Sequence, residues 1–197
     1  MAENYYGMPM FKDGLIEEMK LQSAIKHRII YLSEDVTDDV CFKLNYHLDR
    51  IVRMDEKSNI KEPITIVVSS FGGSVLDGLS SIARIEKMVE DGYEIISIID
   101  GYAMSMGSQL TQVCSKRYAR RYSTILYHQM SAGTSGTIAE METKFKWFNT
   151  LEDISKKITL KHTKMTEEYY DNMKKSNTGL YLTAEEALEL GIIDEIL

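Results

Sequence analysis

Apolar and polar residues change their period repeatedly along this chain, and each change marks an element. The run RIIYLS from Arg28 is short, β-branched and aromatic, which predicts a buried strand. Behind it, TDDVCFKLNYHLDRIVRM places Val40, Leu44, Leu48 and Ile51 at helical spacing after a Thr37 cap. The alternation then repeats. Pro63 introduces ITIVVSS, a continuous apolar run of the kind found in strands covered on both faces. FGGS follows, and then a helix with Val75, Leu79, Ile82 and Ala83 facing inward, stopped by Asp91-Gly92. A third strand, YEIISIID, meets Gly101, and a helical stretch begins around Met104 and runs through Leu110 and Val113. Strands alternating with helices in this way predict right-handed βαβ crossovers and a mostly parallel sheet, an α/β fold.

After a basic patch, KRYARR, comes one more strand, STILYHQ, and the loop MSAGTSGT. A long helix is expected next, with Ile138, Met141, Phe145, Phe148, Leu151, Ile154 and Ile158 stepping by three or four over about six turns. That apolar length exceeds what one packed face of a small domain needs, so part of the helix is expected to project and pack on a neighbour. Thr183 and Glu186 form a capping box, Ala187, Leu188 and Leu190 supply apolar contacts, and Gly191 ends that short helix before a last strand, IIDEI. Residues 1–26 show no sustained period and are expected to form a mobile N-terminal arm. The rest, 27–197, contains no repeat and no linker, and is expected to be a single domain.

Composition narrows the function. With 197 residues, 44% of them hydrophobic, the chain can bury a sizeable core. The formal charge of -7 opposes a phosphate backbone or an anionic membrane surface, so neither nucleic acid nor a membrane is expected as a partner. No apolar run reaches the roughly 18 residues of a membrane span. The start, MAENYYGMPMF, lacks the basic and apolar regions of a signal peptide, so a cytoplasmic location is expected. Cys41 and Cys114 have no paired spacing, which leaves a disulfide framework or a metal site without support. They are expected to be reduced and half-buried.

The unusual residues sit in two strand-to-helix turns. In Phe71-Gly72-Gly73-Ser74, two glycines permit backbone angles closed to other residues and let another chain approach the main-chain N–H groups. A tight turn that merely relieves strain explains the same residues. No phosphate loop is present, since neither G-x-G-x-x-G nor a Lys-Ser/Thr pair follows. In the second turn, Ser105 lies between Ala103 and Gly107, close in form to a nucleophile elbow with one Gly replaced by Ala. The N–H of Met106, aided by the helix dipole, would face a developing oxyanion, and the N–H of Gly73 would be the second donor. An ordinary N-cap serine remains the alternative. Because a serine hydroxyl needs a base, the four histidines matter. His27, His47 and His162 read as surface or packing residues. His128 ends the strand STILYHQ before a Gly-rich loop, where α/β proteins place chemistry, although a histidine bonded only to backbone fits there too.

The ordered series SSFGGSV, YAMSMGS, KRY, LYHQ and LTAEEALELGIIDEI resembles the Clp protease family of serine peptidases (the ClpP type) from Arg28 to the C-terminus. The resemblance implies a ClpP/crotonase-like spiral of βαβ units with a projecting handle, about 129–164, whose long helix from Thr137 to about Lys164 interleaves with a facing subunit. It makes Ser105 the nucleophile, His128 the general base and the N–H groups of Gly73 and Met106 the oxyanion hole, with Phe71, Gly72 and Met130 bordering the substrate strand. Phe71 and Met130 depart from the prolines usual in the family. The family's third catalytic residue is an Asp. Counting forward from His162-Thr163 puts Asn177 at that position, and counting backward from LTAEEA puts Gly179 there; Asn177 is preferred, because Gly has no side chain to orient an imidazole. An Asn carries no charge, so a slower triad is expected.

By the same resemblance the protein is a serine endopeptidase that hydrolyses unfolded polypeptides to short peptides through an acyl-enzyme, with no cofactor and no metal. The chain is expected to be a homo-oligomer of two stacked heptameric rings, a tetradecamer served by an ATP-driven AAA+ unfoldase. Two rivals stand beside it. One is a weak or inactive ring subunit acting as scaffold. The other is a crotonase-type acyl-CoA enzyme, which shares the spiral and a two-amide oxyanion hole but has no use for Ser105 and His128 together.

Overall fold

The computed structural model describes residues 13–58, 61–176 and 178–197. Its elements in order are α1 (Asp13–His27), β1 (Ile29–Leu32), α2 (Asp38–Ser58), β2 (Ile64–Ser70), α3 (Val75–Glu90), β3 (Ile95–Met104), α4 (Met106–Gln112), β4 (Lys116–Ala119), β5 (Thr124–Tyr127), α5 (Ile138–His162), α6 (Glu167–Ser176), β6 (Leu180–Thr183), α7 (Ala184–Glu189) and β7 (Glu195–Ile196). The result is a mixed α/β fold on a mostly parallel sheet, as the alternating pattern predicts.

The strand order is β1-β2-β3-β4-β7, all parallel, with β5 parallel to β3 and β6 antiparallel to β5. One strand holds the two parts together. The first half of β3 pairs with β4 from Ile96 to Ile99, and its last residues, Tyr102 to Met104, pair with β5. The change of partner falls at Asp100-Gly101, where Gly101 takes a φ of 96° that side chains disfavour. β2 joins at the same end, since a bulge after Val68 re-registers it so that Ser70 sits opposite Ala103. Three strand ends, at Ser70, Met104 and Tyr127, therefore converge.

Both faces of this sheet are covered, which is why the strands carry continuous apolar runs rather than alternation. Ile64, Ile95, Ile99 and Ile125 have no measurable exposure, and each such side chain contributes roughly 1.5–3 kcal/mol by leaving water. α2 packs Leu44, Leu48 and Ile51 against the sheet after its Thr37 cap, whose hydroxyl accepts from the Val40 N–H. On α3 the buried face is Gly78, Ser81, Ile82, Ile85 and Met88, and Ala83 is exposed, one position away from the expected stripe. The packed line follows the small residues Gly78 and Ser81, which let the helix approach closely.

The segment expected to be a mobile arm is helical from Asp13 onward, and Ala24 of α1 is buried in the core. Packing holds α1 without a sustained apolar stripe, so periodicity alone does not reveal it; residues 1–12 lie outside the described residues. The patch KRYARR contributes β4, because a four-residue strand between two neighbours needs no apolar signature of its own. α5 has the expected length and opens with a capping box between Thr137 and Glu140. Its first half is open: Ile138 is 73% exposed, Phe145 57% and Trp147 48%, and the first buried residue is Leu151. Cys41 and Cys114 are free and fully buried. Burial raises both thiols, Cys114 to about 12, which makes them inert at neutral pH. Among the described residues no helix is long and apolar enough to cross a membrane.

Candidate active site

Ser105 follows β3 directly and caps α4, yet it is not an ordinary N-cap. Capping residues take extended backbone angles and accept a hydrogen bond through the side chain. Ser105 has φ 54° and ψ -124°, and its hydroxyl makes no capping bond. Such a backbone costs about 1–3 kcal/mol and persists only when its surroundings hold it. They do so here: the Ser105 N–H donates to Leu126 O at 2.8 Å, and the Ser108 hydroxyl donates to Ser105 O at 2.7 Å. The turn is thus stitched to β5, the strand that carries His128.

The glycine turn after β2 packs on this elbow. A Cβ on Gly72 would lie 2.5 Å from Met104 O and 2.8 Å from Ser105 Cβ, so only glycine fits. The turn is anchored from the other side by Val36, whose N–H donates to Gly72 O and whose carbonyl accepts from Ser74 N–H. These two bonds bracket Gly73. The closeness of the turns brings Gly73, Ser105, Met106 and His128 around one cavity of about 250 Å³. Phe71 and Met130 line it as well, Phe71 at the exposed mouth with its ring 4.5 Å from that of Tyr102.

His128 is exposed at the end of β5, and its Nδ1 lies 2.7 Å from Gln129 O. A carbonyl oxygen only accepts, so in the neutral ring Nδ1 carries the proton and Nε2 holds the lone pair. That is the tautomer a base toward Ser105 needs. Among the described residues no carboxylate bonds to this ring. Asn177 lies outside the described residues. The β5–β6 register, with Tyr127 opposite Leu180, brings Gly179 level with His128, and a Cβ on Gly179 would lie 3.6 Å from His128 Cβ. A glycine therefore stands opposite His128 across the β5–β6 pair. His162, by contrast, packs at the end of α5, with Nε2 3.1 Å from Glu86 Oε1.

Residues without a motif complete the cavity. Gln109 on α4, Glu152 and Ser155 on α5, and Tyr170 on α6 all line it and are all buried. Glu152 Oε2 accepts from the Met130 N–H at 3.1 Å, which ties the segment after His128 to α5. Burial, and then the Glu152 carboxylate, push the Tyr170 hydroxyl pKa up. In the sequence Glu152 and Ser155 each stand one position after a residue of the α5 apolar stripe, Leu151 and Ile154, so the period does not mark them. Among the described residues there is no group of three or more metal-ligating side chains.

Residues 16–197 match the family model described as Clp protease. An ATP-dependent Clp protease proteolytic subunit of Dehalococcoides mccartyi is 32% identical over 177 residues, which cover 88% of this chain and 83% of that protein. An ATP-dependent Clp protease proteolytic subunit 2 of Corynebacterium efficiens is 30% identical over 175 residues, covering 88% and 83%. A protein of the same description from Tropheryma whipplei is 29% identical over 178 residues, covering 87% and 92%. The chain belongs to the Clp protease family. It is a Clp-type protease subunit, and its enzyme class is serine peptidase.

Proposed function

We propose that this subunit is an endopeptidase that cuts unfolded polypeptides through an acyl-enzyme formed on Ser105. The observation that carries the reading is the strained, uncapped Ser105 on the same cavity as His128, Gly73 and Met106. Ser105 Oγ attacks the scissile carbonyl carbon as His128 Nε2 takes its proton. The oxyanion is held by the N–H groups of Gly73 and Met106, which are fixed by the backbone before substrate arrives and so need no reorganisation. The C–N bond breaks as the imidazolium returns the proton to the leaving amine. Water then attacks the ester with His128 again as base, releasing the acid and restoring Ser105.

The Gln129 carbonyl orients the imidazole, but a neutral carbonyl stabilises the imidazolium less than a carboxylate does, so slow turnover is expected. The single domain spans the body from residue 27, its βαβ units forming the family's spiral. The exposed half of α5 serves as the handle, covering its apolar side chains against a facing subunit in a double ring of heptamers. Enclosure of the serines in that chamber admits only unfolded chains, and an ATP-driven Clp ATPase in the cytoplasm delivers them. A scaffold role is the second reading, favoured by the glycine beside His128.

A small fluorophosphonate followed by intact mass, on native chain and on Ser105→Ala, separates the two. A single adduct on native chain, absent from Ser105→Ala and accompanied by turnover of a fluorogenic peptide, is expected. No adduct on assembled protein between about pH 7 and 9 would overturn the peptidase mechanism in favour of the scaffold.

A further inference from the structure

The buried end of the cavity is polar. Apolar stems line its walls, among them Val75, Met106 and Met173. Its depth is formed by Gln109, Glu152 and Ser155, which are 8%, 6% and 7% exposed. The polar atoms there are unevenly satisfied. Gln109 Oε1 is buried without a hydrogen-bond partner. Glu152 Oε2 takes the Met130 N–H, Oε1 forms a long ion pair with Lys174 Nζ at 3.6 Å, and the carboxylate also faces the Tyr170 hydroxyl. A buried acceptor without a partner is costly, and here one, Gln109 Oε1, borders the same space as the buried Glu152 carboxylate, one α4 turn from Ser105.

We infer that this cavity receives the substrate side chain on the acyl side of the scissile bond, and that Gln109 and Glu152 make it selective for a long cationic side chain, lysine or arginine. The placement rests on the Ser105 mechanism proposed above. The selectivity rests on the cavity. An apolar side chain would shut Gln109 Oε1 away from water with nothing to donate to it. A cationic side chain lays its methylene stem along Met106 and Met173 and brings donors to Gln109 Oε1 and to the Glu152 carboxylate. Lys174 gives way readily, because its side chain is 33% exposed and its amine can turn to solvent.

The test is binding of cleavage products, which needs no turnover. N-acetyl-Ala-Ala-Arg, N-acetyl-Ala-Ala-Lys and N-acetyl-Ala-Ala-Leu are titrated into the full native chain and into Gln109→Leu and Glu152→Gln by calorimetry. Native protein is expected to bind the Arg and Lys acids at least about tenfold more tightly than the Leu acid. Gln109→Leu, which keeps the side chain's size, is expected to cut that ratio by about fivefold or more, and Glu152→Gln to cut it without weakening the Leu acid. Equal or tighter binding of the Leu acid, a ratio unchanged in both variants, or no binding of any acid overturns the inference. Fluorophosphonate labelling of the same protein keeps the two readings apart. An adduct at Ser105 with a Leu preference sinks the pocket alone; an Arg preference with no adduct sinks the mechanism alone.

Discussion

Ser105 and His128 are joined through backbone rather than through side chains. The elbow N–H is tied to Leu126 O, two residues before the imidazole, and Gly72 is pressed against the elbow with no room for a Cβ. Among the described residues the imidazole is oriented by the neighbouring Gln129 carbonyl, and a Cβ on Gly179 would lie 3.6 Å from His128 Cβ. Gly179→Asp is the direct probe. The φ of 72° there is one that Asp tolerates better than most residues, and the closest atom to the new Cβ, Leu126 Cδ1 at 3.0 Å, is the end of a flexible side chain. Peptide turnover is expected to rise by at least about tenfold, since an orienting carboxylate also stabilises the imidazolium. An unchanged kcat in folded variant would mean that the Gln129 carbonyl already supplies the orientation.

At the scale of elements, the junctions matter more than the spans. Arg28 links α1 to β1 with a φ of 56°, and its guanidinium forks onto both oxygens of Asp55 on α2, at 2.8 and 2.9 Å. It also donates to the carbonyls of Glu62 and Pro63. Asp55 is 6% exposed. Removing one partner of such a pair leaves a buried charge without compensation, so Asp55→Ala is expected to cost about 3 kcal/mol in urea unfolding while leaving fluorophosphonate labelling intact. Helices α2, α3 and α5 and the long strands were legible because each repeats one contact type along its own length: Leu44, Leu48 and Ile51 announce α2 without reference to anything else. β4, α6 and β6 were not legible in this way. Lys116–Ala119 is a strand because Ile96–Ile99 offers it a ladder, and Leu180–Thr183 because β5 does.

Over the whole molecule, the C-terminal segment is held by charge. Asp194 accepts from the Arg117 backbone N–H at 2.8 Å and from its guanidinium, and Arg117 also donates to His162 O, so β4, β7 and the end of α5 meet at one ion pair. Burial acts to raise the Asp194 pKa, and Arg117 outweighs it, leaving it lowered from 3.8. A carboxyl with a depressed folded pKa contributes stability that is fully present above its unfolded pKa and is lost as pH falls through the folded one. Asp194→Asn is therefore expected to lower Tm at pH 7, and the gap to native chain to close progressively below about pH 4. A gap independent of pH would rule out the charge as its source.

Sequence alone determined the elements whose signature is local: the apolar runs of β1 to β3, the cap and period of α2, the periods of α3 and α5, the capping box of α7, and the two small-residue turns that mark Ser105 and Gly73. Its order of motifs was also enough to point to the family. Only the tertiary structure decided which of two readings of Ser105 holds for the backbone, since strain is a property of φ and ψ and not of residue type. It likewise placed Gly179 beside His128, through a strand pairing that spans more than fifty residues. The polar end of the cavity belongs to the same class. Gln109, Glu152 and Tyr170 come from three helices, and no period along the chain relates residues that meet only when those helices pack.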